Sequence, residues 1–240
     1  MKKIFLFLII SSRAFTDEGI DLLKKSDLAR GGIEEGLSWT VKLNIVDDGE
    51  KSEREFFVKV KDNDSIAEAT SPPRNKGEIY LFNNRNMWFF KPSLKKPISL
   101  SSRQRLSGQA ANGDVASTNY ARDYNPVIEK EDQLNGEKVK ILMLTSKDHN
   151  TTYDKIRYYI SLKSKYGVKA EFLTIQGKTL KTASFEYKNK IQLKGELRPF
   201  VSKMIIIDEI NKSNLSILSY ENPKVAEFPQ SVFNVNSISR

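Results

Sequence analysis

From Trp39 the chain alternates. Trp39, Val41, Leu43 and Ile45 are apolar, and Thr40, Lys42 and Asn44 between them are polar. Successive side chains of a strand point to opposite faces, so a period of two builds a half-buried strand and cannot lie along a helix, whose period is 3.6. Asp47, Asp48 and Gly49 supply a turn. Phe56, Val58 and Val60 then resume the alternation against Lys59 and Lys61. Asp62, Asn63 and Asp64 turn the chain again into a third strand over 65–70. Pro72 and Pro73 end it, since proline has no N–H to give to a ladder. Residues 78–82 and 87–90 form a hairpin around 83–86 that is apolar on both faces, so both faces need cover. Further strand patterns recur at 139–144, 156–162, 172–175, 182–187, 201–207 and 215–218, with turns at Asn135–Gly136, Tyr166–Gly167 and Gln176–Gly177. This spacing predicts about eleven strands in a mainly β, α+β fold, and 240 residues suit a single domain of that kind.

Two stretches break the period. Residues 16–30 predict a helix, with Thr16 or Asp17 as cap and with Ile20, Leu23, Asp27 and Leu28 along one side. Gly31 and Gly32 stop it, because glycine accepts the left-handed conformation past a helix end. Residues 102–120, broken at Gly108 and Gly113, predict short helices and loops that cross or cover the sheet. The N-terminus carries Lys2 and Lys3, seven apolar residues from Ile4 to Ile10, and then Ser11, Ser12, Arg13 and Ala14. That order of charge, apolar run and small-residue exit predicts a signal peptide over 1–14, a mature domain over 15–240 and a periplasmic location. Seven apolar residues are far below the ~20 that span a bilayer.

The composition excludes much chemistry. With no cysteine, thiolate nucleophiles, disulfides and Cys-based zinc sites are impossible. His149 is the only histidine, and it sits in the polar run DHNTTYD with no nucleophile motif elsewhere. Ser93 and Lys96 have the S-x-x-K spacing, but Pro92 and Pro97 bracket them where a helix would be needed. Asp62, Asn63 and Asp64 are contiguous rather than alternate, so they make a turn and not a calcium loop. Neither an enzyme, a cofactor nor a metal is expected. The net charge is +9, but the cations are dispersed and no helix-turn-helix, zinc or RNP pattern accompanies them, so nucleic acid is not an expected partner.

The run from Ser71 to Pro126 carries a resemblance. SPPRNKG at Ser71 to Gly77, MWFFKPSLKK at Met87 to Lys96, ISLSSRQRL at Ile98 to Leu106 and FPQSVFNVNSIS at Phe228 to Ser239 together resemble the outer-membrane lipoprotein-sorting family, the LolA/LolB-like superfamily. The resemblance implies a half-open, curved antiparallel β-barrel with helices on its concave face and an apolar hollow for acyl chains. It implies a monomeric periplasmic carrier of lipid or lipoprotein, loaded by an inner-membrane transporter and unloaded to an outer-membrane acceptor. An envelope-stress sensor that binds mislocalised lipid is the alternative. The expected hollow residues are Trp39, Val41, Leu43, Phe56, Leu81, Trp88, Phe90 and Leu106, which on period alone fit a filled core as well. Lys95, Lys96, Arg103 and Arg105 are expected to meet headgroups or a partner. Residues 102–120 are the expected lid. The resemblance assigns no residue of this chain to the arginine that holds the lid in the family's carriers, and Arg54 is a candidate by rough position only.

Overall fold

A computed structural model describes residues 5–83, 86–115 and 119–238. Helix α1 (Phe5–Leu28) leads into six strands: β1 (Leu37–Asp47), β2 (Glu50–Lys61), β3 (Asp64–Ser71), β4 (Ile79–Asn83), β5 (Asn86–Phe90) and β6 (Ile98–Leu100). A crossover follows, made of β7 (Arg105–Ser107), β8 (Ala110–Ala111), α2 (Asn112–Val115) and α3 (Tyr120–Asp123). The chain then continues through β9 (Tyr124–Leu134), β10 (Glu137–Ser146), β11 (Lys155–Ser161), β12 (Gly167–Leu173), β13 (Thr179–Glu186), β14 (Asn189–Leu193), β15 (Glu196–Phe200), β16 (Lys203–Asp208) and β17 (Leu215–Val225). Thirteen strands form one curved antiparallel sheet in the order β6-β5-β4-β3-β2-β1-β17-β16-β13-β12-β11-β10-β9, with β14–β15 and β7–β8 as separate pairs. The sheet does not close on itself, so β6 and β9 are its edges.

The alternation in β1 sets the inner face. Val41 pairs with Phe56 and Trp39 with Val58, and Phe56 in turn pairs with Ala69. Directly opposed residues share a face. All five side chains belong to one buried cluster with Leu22 and Leu23 of α1 and with Leu142, Tyr158, Phe172 and Met204 from the far half of the sheet. Burial of each such side chain stabilises the fold by roughly 1.5–3 kcal/mol. The Asn135–Gly136 turn has φ of 51° and 81°, the left-handed pair that a two-residue hairpin requires.

Several expectations change. The helix expected at 16–30 extends back to Phe5, so Asp17 lies inside α1 rather than at its cap. Residues 1–4 of the expected signal peptide lie outside the described residues, and 5–14 are part of α1. Seventeen strands stand among the described residues where about eleven were expected. The additional ones include β6, β7 and β8, two or three residues long, and β14–β15, which the apolar period does not mark. Gly167 opens β12 instead of sitting in the turn, and only glycine fits there, since the hydroxyl of Tyr158 occupies the space a side chain would need. Among the described residues no helix is long and apolar enough to cross a membrane.

Candidate ligand-binding site

The crossover joins the two edges of the open sheet across its inner face, from the end of β6 at Leu100 to the start of β9 at Tyr124. Ala110, Ala111, Val115 and Tyr120 enter the main cluster from it. Polar contacts hold it in place. Gln109 N donates to Ser216 Oγ at 2.8 Å, and Lys181 Nζ donates to the Gln109 carbonyl at 2.6 Å. Gly108, at φ 54°, packs so closely on Ile45 and Ser216 that a Cβ would collide with both. Asp114 accepts from Ala111 N and from the Tyr153 hydroxyl, both at 2.8 Å. At the rim Ser102 Oγ donates to the Asn150 carbonyl at 2.8 Å, and Arg103 bonds the Thr151 carbonyl at 2.9 Å and Asp154 Oδ1 at 2.5 Å. These last bonds tie the β6 side of the opening to the β10–β11 loop.

Beside the crossover the inner face is uncovered. Tyr80, Phe89, Ile98, Leu100, Gln104 and Leu106, with Asn112, line an apolar cleft of about 480 Å³. Ile98 at the lip is 46 % exposed. An apolar cavity with a few polar groups is the usual build of a site for an apolar ligand.

The expected hollow residues divide between two faces. Trp39, Val41, Leu43 and Phe56 are fully buried on the inner face, in the filled part of the core. Leu106 lines the cleft. Leu81, Trp88 and Phe90 stand on the opposite face, because Ala67 pairs with Tyr80 and Tyr80 with Phe89, which turns Leu81, Trp88 and Phe90 outward. There they pack with Ile66 and Ile79 under a C-terminal cover of Phe228, Val232, Phe233, Val235 and Ile238. Asn83 Nδ2 donates to the Phe233 carbonyl at 2.7 Å and Lys61 Nζ to the Phe228 carbonyl at 2.9 Å, which fastens that cover. The hairpin is thus buried on two sides, and its inward residues are Tyr80, Phe82, Met87 and Phe89.

The expected contact residues also separate. Lys95 and Lys96 are exposed in the β5–β6 connection. Arg103 is spent on the rim bonds. Arg105 begins β7, and its side chain lies outside those described. Arg54 faces inward and pairs with Glu78 at 2.9 Å, both side chains nearly buried, with its guanidinium 4.9 Å from the Phe56 ring. His149 is exposed in the β10–β11 loop.

The sequence analysis missed the centre of the filled half. Arg30, 5 % exposed, lies 4.3 Å from the Phe185 ring and 5.2 Å from that of Tyr120. Burial raises the Tyr120 and Tyr158 hydroxyls, and the Arg30 charge beside them opposes that rise. Asp27, one turn earlier, accepts from Ala121 N at 2.8 Å, and burial pushes its carboxyl up to about 7 against the pull of these donors and of Arg30. Asp27 Oδ1 and Arg30 Nη1 are buried without a partner. The signal was present: Asp27 falls on the same helical side as Ile20 and Leu23, where a charge is out of place unless it is held.

A LolA superfamily protein from Nitrosomonas europaea shares 30% identity over 90% of this chain and 97% of its own, with a TM-score of 0.80. This chain belongs to the LolA superfamily. Within that superfamily fold, an outer-membrane lipoprotein-sorting protein domain from Vibrio parahaemolyticus matches 94% of the chain and 100% of its own at TM-score 0.78 and 20% identity. A DUF1329 family protein from Desulfovibrio piger covers 93% and 99% at TM-score 0.75 and 16% identity. A family model described as "Uncharacterized protein" matches residues 61–240. No curated protein matches the chain.

Proposed function

We propose that this LolA superfamily protein is a periplasmic carrier of lipid or lipoprotein, exported by a signal peptide at 1–14 and acting as a single domain over 15–240. It takes acyl chains between the sheet and the crossover, and works by binding and release without bond chemistry. An inner-membrane transporter loads it and an outer-membrane acceptor unloads it. The observation that carries this reading is the open apolar cleft on the inner face, bounded by Tyr80, Phe89, Ile98, Leu100 and Leu106. Tyr80 of the cleft wall meets Phe56 of the filled part, with ring centroids 5.9 Å apart. Withdrawal of the crossover would therefore lengthen the cleft toward Phe56 and Leu43, the hollow residues that now serve as core.

A fluorescent acyl probe tests it. Saturable binding is expected, weakened at least tenfold by Phe89→Asp or Leu106→Asp, since a charge in the wall must lose water when the chain enters. Trp88→Asp, on the other face, should leave the affinity unchanged in whatever fraction stays folded. A probe that never binds, or that Trp88→Asp expels while Phe89→Asp does not, would refute the proposed cleft.

A further inference from the structure

One end of the molecule carries cations, apolar side chains and a cavity in one place. The end of α1, the β11–β12 turn and β15 enclose a groove of about 340 Å³, with Lys25, Lys165 and Arg198 around Leu28, Tyr166 and Pro199. Lys25 sits in the last turn of α1. Neither it nor Lys165 has an ion-pair partner among the described residues, while Arg198 pairs with Glu196, itself 70% exposed, and acts on Glu35 as well. The β14–β15 hairpin extends the surface. Ile191 and Leu193 bury one of its faces, so the alternating Lys190 and Leu197 stand outward, and Leu197 is 60% exposed. Across Leu28 and Arg198 the groove meets a second cavity of about 610 Å³, which reaches Ile33 and Leu193 at the border of the core.

We infer that this end is a docking surface for an anionic phospholipid bilayer, with the three cations on headgroup phosphates and Leu197 and Leu28 entering the interface. Lys25 and Lys165, which lack ion-pair partners among the described residues, gain most from a surface of opposite charge, and a leucine held in water beside them gains by leaving it. The opposite end of the sheet makes the contrast. Ile175 and Ile210 are 63% and 77% exposed there, but Ile210 follows Asp208 and Glu209, and Asp48 lies alongside through Asn211. Beside Ile210 the cation Lys212 is paired with Glu209, so Ile210 is a poorer contact for an anionic bilayer than Leu28. Docking does not require cargo, so this inference stands apart from the carrier reading.

Co-sedimentation of the full chain with vesicles decides it. Phosphatidylglycerol vesicles should bind at low salt and release in 0.5 M salt, while phosphatidylcholine vesicles should not bind. Each cation near an anionic surface contributes about a factor of five, so the triple variant Lys25→Gln, Lys165→Gln, Arg198→Gln should lose partitioning on the order of a hundredfold. Arg198→Gln alone, the variant to use if the triple does not fold, should lose about fivefold. Leu197→Asp should weaken binding and Ile210→Asp should not. Equal binding to both vesicle types would overturn the inference, as would folded cation variants that partition like the parent. Saturable binding of glycerol phosphate without any vesicle binding would overturn it too, since the groove would then read free phosphate.

Discussion

The two halves of the inner face are built from the same alternating strands and end differently. Against β9–β13 the sheet meets α1 and α3, and the aromatic side chains of Tyr120, Tyr124, Tyr153, Tyr158 and Phe172 are all buried there. Tyr153 stacks on Phe172 at 3.9 Å, and Tyr120 meets Tyr124 and Tyr158 edge-on at 5.3 Å. Against β4–β6 the crossover contributes Gln104, Leu106 and Asn112 among the described residues, and the cleft stays open. The strands thus do not decide whether a face is core or site. What lies over them decides it, and here that is the crossover and one helix.

The comparison breaks most readily where packing is densest. Phe172→Ala should cost about 3–5 kcal/mol in denaturant unfolding, the usual cost of an aromatic lost from a filled core. Phe89→Ala at the cleft should cost markedly less, because water can already enter there. Equal losses would mean that the cleft is closed in solution.

The second test uses pH. Burial raises the Asp27 carboxyl from an ordinary 3.8 to about 7. A carboxyl whose folded pKa lies above its unfolded one binds its proton more tightly when folded. Its favourable contribution is complete below about pH 4 and is lost as pH rises toward 7. Asp27→Asn should remove that slope, leaving the variant more stable than the parent at pH 8 relative to pH 4 by a few kcal/mol, at about 1.4 kcal/mol per unit of pKa. Parallel stability curves for the two proteins across that range would show that Asp27 is not buried with its proton.

A smaller effect is expected at the rim. Arg103→Ala removes the Asp154 and Thr151 bonds that hold the crossover to the far edge. The pair is partly exposed, so stability should fall by only about 1 kcal/mol. Uptake of the acyl probe should become faster in stopped-flow measurements if this rim gates the cleft. The smallest effect belongs to His149, exposed in its loop. His149→Ala should change stability by less than about 0.5 kcal/mol and leave complementation of a deletion strain intact.

The alternating strands were legible because one wet face forces a period of two. The double-sided hairpin was legible because both of its faces are greasy. Trp88 and Phe90 share one face by the same period and Met87 and Phe89 the other, so the period alone leaves open which pair faces inward. Only the pairing of Ala67 with Tyr80 answers it, and register between strands is a tertiary property. The C-terminal cover was visible as an aromatic segment without a period of its own, so nothing local said which surface it would lie on. Strands of two or three residues carry too few positions to show any period. Asp27 and Arg30 carry no motif, and their role exists only once Tyr120 of α3, Tyr158 of β11, Tyr187 just past β13 and Tyr220 of β17 gather around Arg30.

Strands β1 and β17 pair along nearly their whole length, Leu37 with Val225 through Val46 with Leu215. The beginning and the end of the chain therefore meet in the middle of the sheet. On one side of this seam β1–β6 is a plain meander, and on the other the strands are again paired mostly with sequence neighbours. Each wing can form from local hairpins. The seam cannot, since it closes the longest loop in the molecule, and such non-local pairing is the slow element of folding. A nascent chain would hold β1 with one edge unpaired until its last strand has been made, so a strand next to the centre of the finished sheet is an edge strand for most of its synthesis.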